Sequence, residues 1–403
     1  MNVRASSTQR PSIEALTGLR FVAALIVAVS HFPQVVPIDW LQVALQRQGA
    51  AGVTIFFVLS GFVLTYNYAD TFRASTADAM TFMRARIARI WPINVVSMII
   101  ATLLLIWWTT TPSPVWWIVN LLMLQALVPT SGMILWNTPA WSVSCELVFY
   151  CLFPFFLYWL LGRFRSASRL LQLAVALFAI QVLCFCVVAV AGDHLLRQYG
   201  KSAEEIPATF ERIKCFPGLR MWEFFLGCVM GQALLNARAG GKGWWRVLDR
   251  RRIRDAMLTA SALGLLVLLV LPSMVDLPDR GPLAHLARAG LYVVYTPLAV
   301  LLVTAIGWGP TAVNPMLEER WAVRLGEASY SFYMLQWSVL LIVTKIAGGT
   351  PGSWPQIALG WWLSAAAIVF AAFISLVSAR WIEVPTRRLL RGAPCTRPAV
   401  PLG

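Results

Sequence analysis

The sequence predicts an all-α membrane protein, a polytopic helical bundle of about ten transmembrane helices with one short re-entrant or interfacial helix. Of the 403 residues, 59% are hydrophobic and 13% are charged, which is about half the charged share of a soluble domain. The mean hydropathy is +0.69. The apolar runs are continuous over about 20 residues, the length of a membrane-crossing helix, whereas the strands of an outer-membrane barrel alternate apolar and polar residues.

Ten long apolar segments predict the membrane helices, because each approaches the roughly 20 residues that cross a bilayer. They are residues 15–36, 51–68, 90–109, 141–161, 170–191, 217–236, 256–275, 285–306, 326–346 and 357–379. A shorter segment, 115–128, covers about 21 Å as a helix and is too short to cross easily. We expect it to be re-entrant or interfacial, and the stretch 129–139 to lead from it into a cavity.

Clusters of basic residues predict the orientation of the bundle. They are Arg84, Arg86 and Arg89; Arg163, Arg165 and Arg169; the Lys and Arg residues of 237–255; and Arg380, Arg387, Arg388 and Arg391. If 115–128 does not cross the bilayer, all of them fall on one side, which the positive-inside tendency assigns to the cytoplasm. The net charge of +15 then reflects membrane orientation, and no nucleic-acid partner is predicted.

This topology predicts a cytoplasmic tail over 1–12, a membrane domain over 13–391 and a second cytoplasmic tail over 392–403. The expected location is a bacterial inner or plasma membrane, with the lipid bilayer as a partner. Most of the seven cysteines lie inside apolar runs and lack the spacing of a disulfide or zinc framework. We therefore predict no metal site and no bound cofactor.

Arg20 and His31 are the first functional candidates, because charged or titratable groups inside a membrane helix are costly and often functional. They are eleven residues apart, which places both on one helix face and separates them by about 16 Å along the axis. An imidazole can accept a proton from a hydroxyl near neutral pH. The alternative is a structural histidine that hydrogen-bonds a neighbouring helix.

Arg86 and Arg89 lie three residues apart at the start of the third span and share a helix face. Paired guanidinium groups at that position can bind a phosphorylated ligand by bidentate contacts. The alternative is ordinary topogenic charge or contact with lipid phosphates. Together with Arg20 they predict a cytoplasmic arginine cluster below His31, where a charged donor would bind while an acceptor arrives from outside.

The fourth long span opens with Trp141, Ser142 and, further along, Glu146 and Tyr150. Glu146 lies inside the apolar run, is expected in the outer half of the membrane and needs a proton or a cationic partner. Arg220 and Glu223 form an i, i+3 pair in a later span and are expected to neutralise each other. The glycines Gly52 and Gly61 in the second span predict close helix packing.

Several motifs, in this order along the chain, resemble the acyltransferase-3 family of integral membrane O-acyltransferases. They are Leu19-Arg20 with His31; the stretch from Gly52 to Ser60-Gly61-Phe; Arg86-Ile-Ala-Arg89 before Pro92; Trp141-Ser-Val-Ser-Cys-Glu146 with Phe149-Tyr150; Arg220 with Glu223 and Gly227; the segment 325–333 (LGEASYSFY); and Glu383 with Pro385. The resemblance runs from about residue 13 to about residue 391. Since few residues follow the last span, the form without the C-terminal hydrolase-like domain is expected.

The resemblance implies transfer of an acyl group, most often acetyl from acetyl-coenzyme A as co-substrate, to a hydroxyl of a glycan or another acceptor. It implies that His31 is catalytic and that Arg20, Arg86 and Arg89 bind the donor. We add the hypothesis that Glu146 orients or charge-balances His31. Further polar residues are candidate acceptor-binding or structural sites: Trp141, Ser142, Tyr150, Arg220, Glu223, Tyr330 and Gln336. Gln336 stands where many members have His.

Three alternatives stay open at this point. The acceptor is either a glycan or a small natural product such as a macrolide. A secondary transporter or exporter would also use buried Arg, His and Glu, although no internal repeat of the kind common in transporters is visible. The mechanism is either direct transfer with His31 as general base or transfer through an acyl-histidine intermediate.

Overall fold

The computed structural model describes residues 13–108, 113–128, 136–198, 209–210, 212–274, 282–349 and 360–390. Every regular element in these ranges is helical. The helices are α1 Glu14–His31, α2 Asp39–Arg47, α3 Gly49–Phe72, α4 Ala79–Trp107, α5 Pro114–Leu121, α6 Ala140–Arg163, α7 Ala167–Gln198, α8 Pro217–Arg238, α9 Arg251–Met274, α10 Pro282–Trp308, α11 Asn314–Leu317, α12 Arg320–Glu327, α13 Ser329–Ile346, α14 Trp361–Ser378 and α15 Val384–Leu390. The predicted helical membrane bundle is confirmed.

Each predicted apolar segment falls on one of the long helices, but the predicted number of spans is not confirmed. Seven stretches of the described chain are long and apolar enough to cross a membrane: Glu14–His31, Asp39–Phe72, Ala79–Trp107, Ala140–Arg163, Ala167–Gly192, Arg251–Leu271 and Trp361–Thr386. The helices α8, α10 and α13 are outside this group. Polar residues such as Arg220 and Glu223 lower the mean hydropathy of α8. The first helix also ends earlier than predicted, at His31, because Pro33 cannot continue it.

The short segment 115–128 folds back along α4. Asn94 in the middle of α4 donates to the carbonyl of Asn120 at 3.2 Å, and Trp117 donates to Thr102 at 3.2 Å. The chain then contacts the start of α6, where Gln125 donates to the carbonyl of Ala140 at 2.9 Å. Part of the predicted irregular stretch, 129–135, lies outside the described residues. The remainder is held by Asn137, which donates to the carbonyl of Met334 at 2.9 Å.

Glycines bring the backbones of α3 and α8 together at the centre of the bundle. A Cβ atom at Gly61 would overlap the carbonyl of Phe224, and a Cβ atom at Gly227 would overlap the carbonyl of Val58. At Gly52, a Cβ atom would approach Val27 Cγ2 to 2.7 Å, so α1 packs closely on α3. The predicted packing role of Gly52 and Gly61 is confirmed, because only a residue without Cβ permits these approaches.

We expect Gly227→Ala to destabilise the bundle by about 1–3 kcal/mol, the usual cost of overpacking a tight core. The matched control is Gly162→Ala on α6, where nothing lies within 4 Å of the added Cβ atom. Thermal unfolding of the purified protein in detergent measures both. An equal change in Tm for the two variants would contradict the close α3–α8 contact.

The two ends of the bundle differ in charge. We call the end at which α1 begins and α3 ends the basic end. The loops around Arg163, Arg165 and Arg238 lie together there, since Asn236 donates to the carbonyl of Arg165 at 3.1 Å and Arg238 donates to Tyr66 at 2.7 Å. His31 lies at the opposite end, which we call the far end.

Candidate functional site

A cavity of about 500 Å³ lies between α1, α3, α4 and α6. We call it the arginine cavity, because the guanidinium-bearing residues Arg20, Arg86 and Arg89 all line it. Its other lining residues include Asp70 at the end of α3, which is exposed, and Ile13 just before α1. The cavity therefore opens at the basic end of the bundle.

Neighbouring aromatic side chains hold Arg86 in place. Its Nη2 donates to the hydroxyl of Tyr68 at 3.0 Å, and its guanidinium lies 5.5 Å from the ring centre of Tyr68 and 5.6 Å from that of Phe82. Arg86 is buried, whereas Arg20 and Arg89 are half-buried. The predicted shared face of Arg86 and Arg89 is confirmed, since both line the same cavity. Fixed guanidinium groups in a partly dry cavity attract anions strongly.

A narrow extension, which we call the inner pocket, continues from the arginine cavity. Arg20, Arg89 and Tyr150 line both spaces. The other residues around the inner pocket are Val53, Phe56, Phe57, Ile90, Ser142, Val143, Glu146, Ser329, Tyr330 and Tyr333. The inner pocket therefore combines two guanidinium groups, one carboxylate, several hydroxyls and apolar side chains.

Glu146 belongs to this pocket. Its Oε2 accepts a hydrogen bond from the Tyr150 hydroxyl at 2.9 Å, and its charge interacts with Arg20, Arg86 and Arg89. These contacts give Glu146 the cationic partners that its position in an apolar helix demands. They give no support to the hypothesis that it orients or charge-balances His31.

Two tyrosines of α13 close the inner pocket towards the far end. The Tyr333 hydroxyl lies 2.7 Å from that of Ser142 and donates to the carbonyl of Pro139 at 3.0 Å. The Tyr330 hydroxyl donates to the carbonyl of Ile90 at 2.6 Å. Ser142 and Tyr330 are therefore parts of the pocket wall.

His31 is the last residue of α1 and lies one layer beyond the inner pocket. Its half-buried ring contacts the ring of Trp337 edge to face, with centres 5.2 Å apart. Gln336 lies within hydrogen-bonding reach of the imidazole. His31 is not among the residues that line the arginine cavity or the inner pocket. Along α1 it is about 16 Å from Arg20.

Arg220 and Glu223 form a separate cluster. Both are fully buried and their charged groups are 3.1 Å apart, which confirms the predicted ion pair. Arg220 donates to Thr54 at 3.0 Å, and Gln181 donates to Glu223 at 3.2 Å. Trp141 contacts this cluster, since its ring centre is 6.0 Å from the Arg220 guanidinium. These residues tie α3, α6, α7 and α8 together.

Sequence reasoning missed three residues of the site. Tyr68 positions Arg86, Tyr333 closes the inner pocket and Trp337 packs on His31. Tyr333 ends the segment 325–333 and Trp337 follows it by four residues, so their place near the site had a weak signal. Tyr68 had none, because an aromatic residue near a span end is usual in any membrane protein.

The chain is similar in sequence to known proteins. A family model described as an acyltransferase domain matches residues 13–380. The acyltransferase MdmB of Streptomyces mycarofaciens is 31% identical over 399 residues, which cover 94% of this chain and 92% of that protein. The O-acetyltransferase OatA of Staphylococcus aureus is 21% identical over 404 residues, covering 93% of this chain and 57% of that protein. No solved structure matches the chain.

The family match covers nearly the whole described chain, and it includes every residue of the arginine cavity, the inner pocket and the α1–α13 contact at His31. Several helices are apolar enough to cross a membrane. This protein therefore belongs to the acyltransferase-3 family and is a helical membrane acyltransferase.

Proposed function

We propose that this protein transfers an acyl group, acetyl in the first instance, from acyl-coenzyme A in the cytoplasm to a hydroxyl of an extracytoplasmic or membrane-associated glycan. One observation carries the proposal: Arg20, Arg86 and Arg89 line a single cavity, and Arg20 and Arg89 also line the inner pocket. His31 lies on the same helix as Arg20, about 16 Å further along its axis.

The arginine cavity suits the donor. Coenzyme A carries a pyrophosphate and a ribose phosphate, and guanidinium groups bind phosphates through short, bidentate hydrogen bonds. The carboxylates of Glu146 and Asp70 offset only part of the positive charge of Arg20, Arg86 and Arg89. The cavity therefore retains an excess of positive charge for an anionic ligand.

The charge of the basic end supports a cytoplasmic donor. The arginine cavity opens at the end where the arginine-rich loops gather, and such loops lie in the cytoplasm by the positive-inside tendency. Both termini would then be cytoplasmic, and the far end with His31 would face the opposite side. An acceptor on that side reaches His31 without passing the donor.

His31 would act as general base in direct transfer. Its neutral imidazole takes the proton of the acceptor hydroxyl while the oxygen attacks the thioester carbonyl; the carbon–sulfur bond breaks and coenzyme A leaves as the thiolate, which is then protonated. Trp337 and Gln336 hold the ring in one orientation. A trapped acyl-histidine with ping-pong kinetics would replace this mechanism by a two-step transfer.

The test is transfer of radiolabelled acetyl from acetyl-coenzyme A by the purified chain in lipid nanodiscs, with a glycan acceptor. Label in an alkali-labile ester on the glycan is the expected result. If a macrolide acceptor is labelled and the glycan is not, the acceptor is a small natural product and the proposed glycan acceptor is wrong. Uptake of a solute into vesicles without any labelled ester would overturn the proposal in favour of a transporter.

We expect Arg89→Ala to raise the KM for acetyl-coenzyme A by about 10- to 150-fold, which corresponds to the loss of one hydrogen bond to a charged group, about 1.5–3 kcal/mol. Steady-state transfer assays measure it. Arg84→Ala on the same helix is the matched control, because Arg84 is exposed and is not among the cavity-lining residues. An equal rise in both variants would show that Arg89 acts only through general surface charge.

A further inference from the structure

Arg238, the last residue of α8, is held beside the mouth of the arginine cavity. Its Nη1 donates to the hydroxyl of Tyr66 at 2.7 Å, and its guanidinium lies 5.2 Å from the centre of the Tyr66 ring. Tyr66 is 2% exposed and lines the arginine cavity, whereas Arg238 is exposed. Resting on the proposed function, we propose that Arg238 binds the ribose phosphate of coenzyme A and so makes the protein select coenzyme A over dephospho-coenzyme A.

The first argument is position along the donor. Arg20 and Arg89 line both the arginine cavity and the inner pocket, so they lie at the inner end of the cavity. Arg238 lies at the basic end of the bundle, where the cavity opens. In coenzyme A the pyrophosphate lies between the thioester arm and the ribose phosphate. A donor whose arm extends into the bundle and whose pyrophosphate contacts the inner arginines therefore leaves its ribose phosphate at the mouth.

The second argument is that Arg238 is already ordered. A mobile surface arginine gains little from an ion pair, because fixing its long side chain costs entropy. The hydroxyl and ring of Tyr66 hold the Arg238 guanidinium in one place. The end of α8 is anchored as well, since Asn236 donates to the carbonyl of Arg165 at 3.1 Å and accepts from Gln232 at 2.8 Å. A guanidinium ordered in this way binds a phosphate at a lower entropic cost.

The third argument is charge. The three arginines of the cavity are offset by Glu146 and Asp70, which leaves a net charge of about one positive unit. A phosphate monoester alone carries about −1.5 to −2 at pH 7, and the pyrophosphate of the donor adds to this. In the part of the chain that the structure describes, Arg238 forms no ion pair with a carboxylate. Its positive charge is therefore available to an anionic ligand at the mouth.

The test compares kcat/KM for acetyl-coenzyme A and acetyl-dephospho-coenzyme A, which lacks only the ribose phosphate, with the purified chain in nanodiscs and one acceptor. Wild type should prefer acetyl-coenzyme A by about 10- to 150-fold, the effect of one hydrogen bond to a charged group. Arg238→Ala should lower kcat/KM for acetyl-coenzyme A by that factor and leave the value for the dephospho donor unchanged. Tyr66→Phe removes the hydroxyl that holds Arg238 but keeps the ring, and should lose part of the preference.

Two further arginine variants are the controls. Arg246→Ala removes an exposed arginine of the loop after α8 that is not among the cavity-lining residues, and it should keep the wild-type preference. Arg89→Ala should lower kcat/KM for both donors by the same factor, because both contain the pyrophosphate. The preference for acetyl-coenzyme A should therefore persist in Arg89→Ala.

The possible failures are distinguishable. Equal use of the two donors by wild type, or an unchanged preference in Arg238→Ala, would overturn this inference and leave the acyl-transfer proposal intact. The same would follow if Arg246→Ala lost the preference as fully as Arg238→Ala, because the ribose phosphate would then respond only to general surface charge. Absence of transfer from both donors with wild type would overturn the proposed function, and this inference with it.

Discussion

Replacing His31 by Ala is expected to lower kcat for acetyl transfer by about 10²–10⁴-fold, the usual contribution of a positioned general base. The ring contacts Trp337 and lies within hydrogen-bonding reach of Gln336, and neither of these side chains can accept a proton as an imidazole does. The KM for acetyl-coenzyme A should change little, because the proposed binding site of the donor phosphates includes Arg20, about 16 Å away along the helix. Steady-state transfer of labelled acetyl measures both constants.

His194→Ala is the matched control for this experiment. His194 is exposed at the end of α7, where its ring lies 3.0 Å from the side chain of Gln198, and its loss should leave kcat unchanged. A His31→Ala variant that unfolds at the wild-type temperature and keeps wild-type kcat would remove His31 from the mechanism. Glu146, the carboxylate of the inner pocket, would then be the next candidate for the general base.

Replacing Glu223 by Ala is expected to lower the free energy of unfolding by about 3–5 kcal/mol, because it leaves the Arg220 charge buried without its counter-ion. Both side chains are fully buried and 3.1 Å apart. Gln181 and Thr54 are neutral partners and cannot replace the lost carboxylate. Thermal or denaturant-induced unfolding of the purified protein in detergent measures the loss.

Two comparisons separate this burial effect from a simple loss of charge. Arg251→Ala removes an exposed partner, 3.4 Å from Asp255, and should cost less than about 1 kcal/mol. The double variant Arg220→Met, Glu223→Leu removes both buried charges and should be more stable than Glu223→Ala. A Glu223→Ala variant as stable as Arg251→Ala would mean that water reaches Arg220 in the folded protein.

The hydropathy of the sequence was enough to locate the long helices. A membrane helix must be apolar over its whole length and must satisfy its own backbone hydrogen bonds, so its position is visible in a single segment. The early end of α1 had a local cause as well, Pro33. The predicted number of ten spans is not confirmed. One reason is that α8 carries Arg220 and Glu223, which lower its mean hydropathy although they pair inside the bundle.

Part of the site geometry could also be predicted from residues that are close together in the chain. Arg86 and Arg89 share a face because of helix periodicity, and the pairing of Arg220 with Glu223 follows from their i, i+3 spacing. The place of Glu146 was not local. Its interaction with Arg20, Arg86 and Arg89 depends on how α6 packs against α1 and α4, which the spacing of residues within α6 does not record.

The sequence by itself determined the helical membrane class, the helix positions and the residue types that bear charge in the membrane, because each follows from composition or short-range spacing. The family came from the ordered motifs that resemble it. Tertiary structure alone decided that Glu146 belongs with the predicted cluster of Arg20, Arg86 and Arg89, and that Tyr333 lines the inner pocket whereas His31 does not. These groups come from α1, α4, α6 and α13, which are far apart in the chain. Their distances depend on glycine-mediated packing and helix tilt, which no local pattern records.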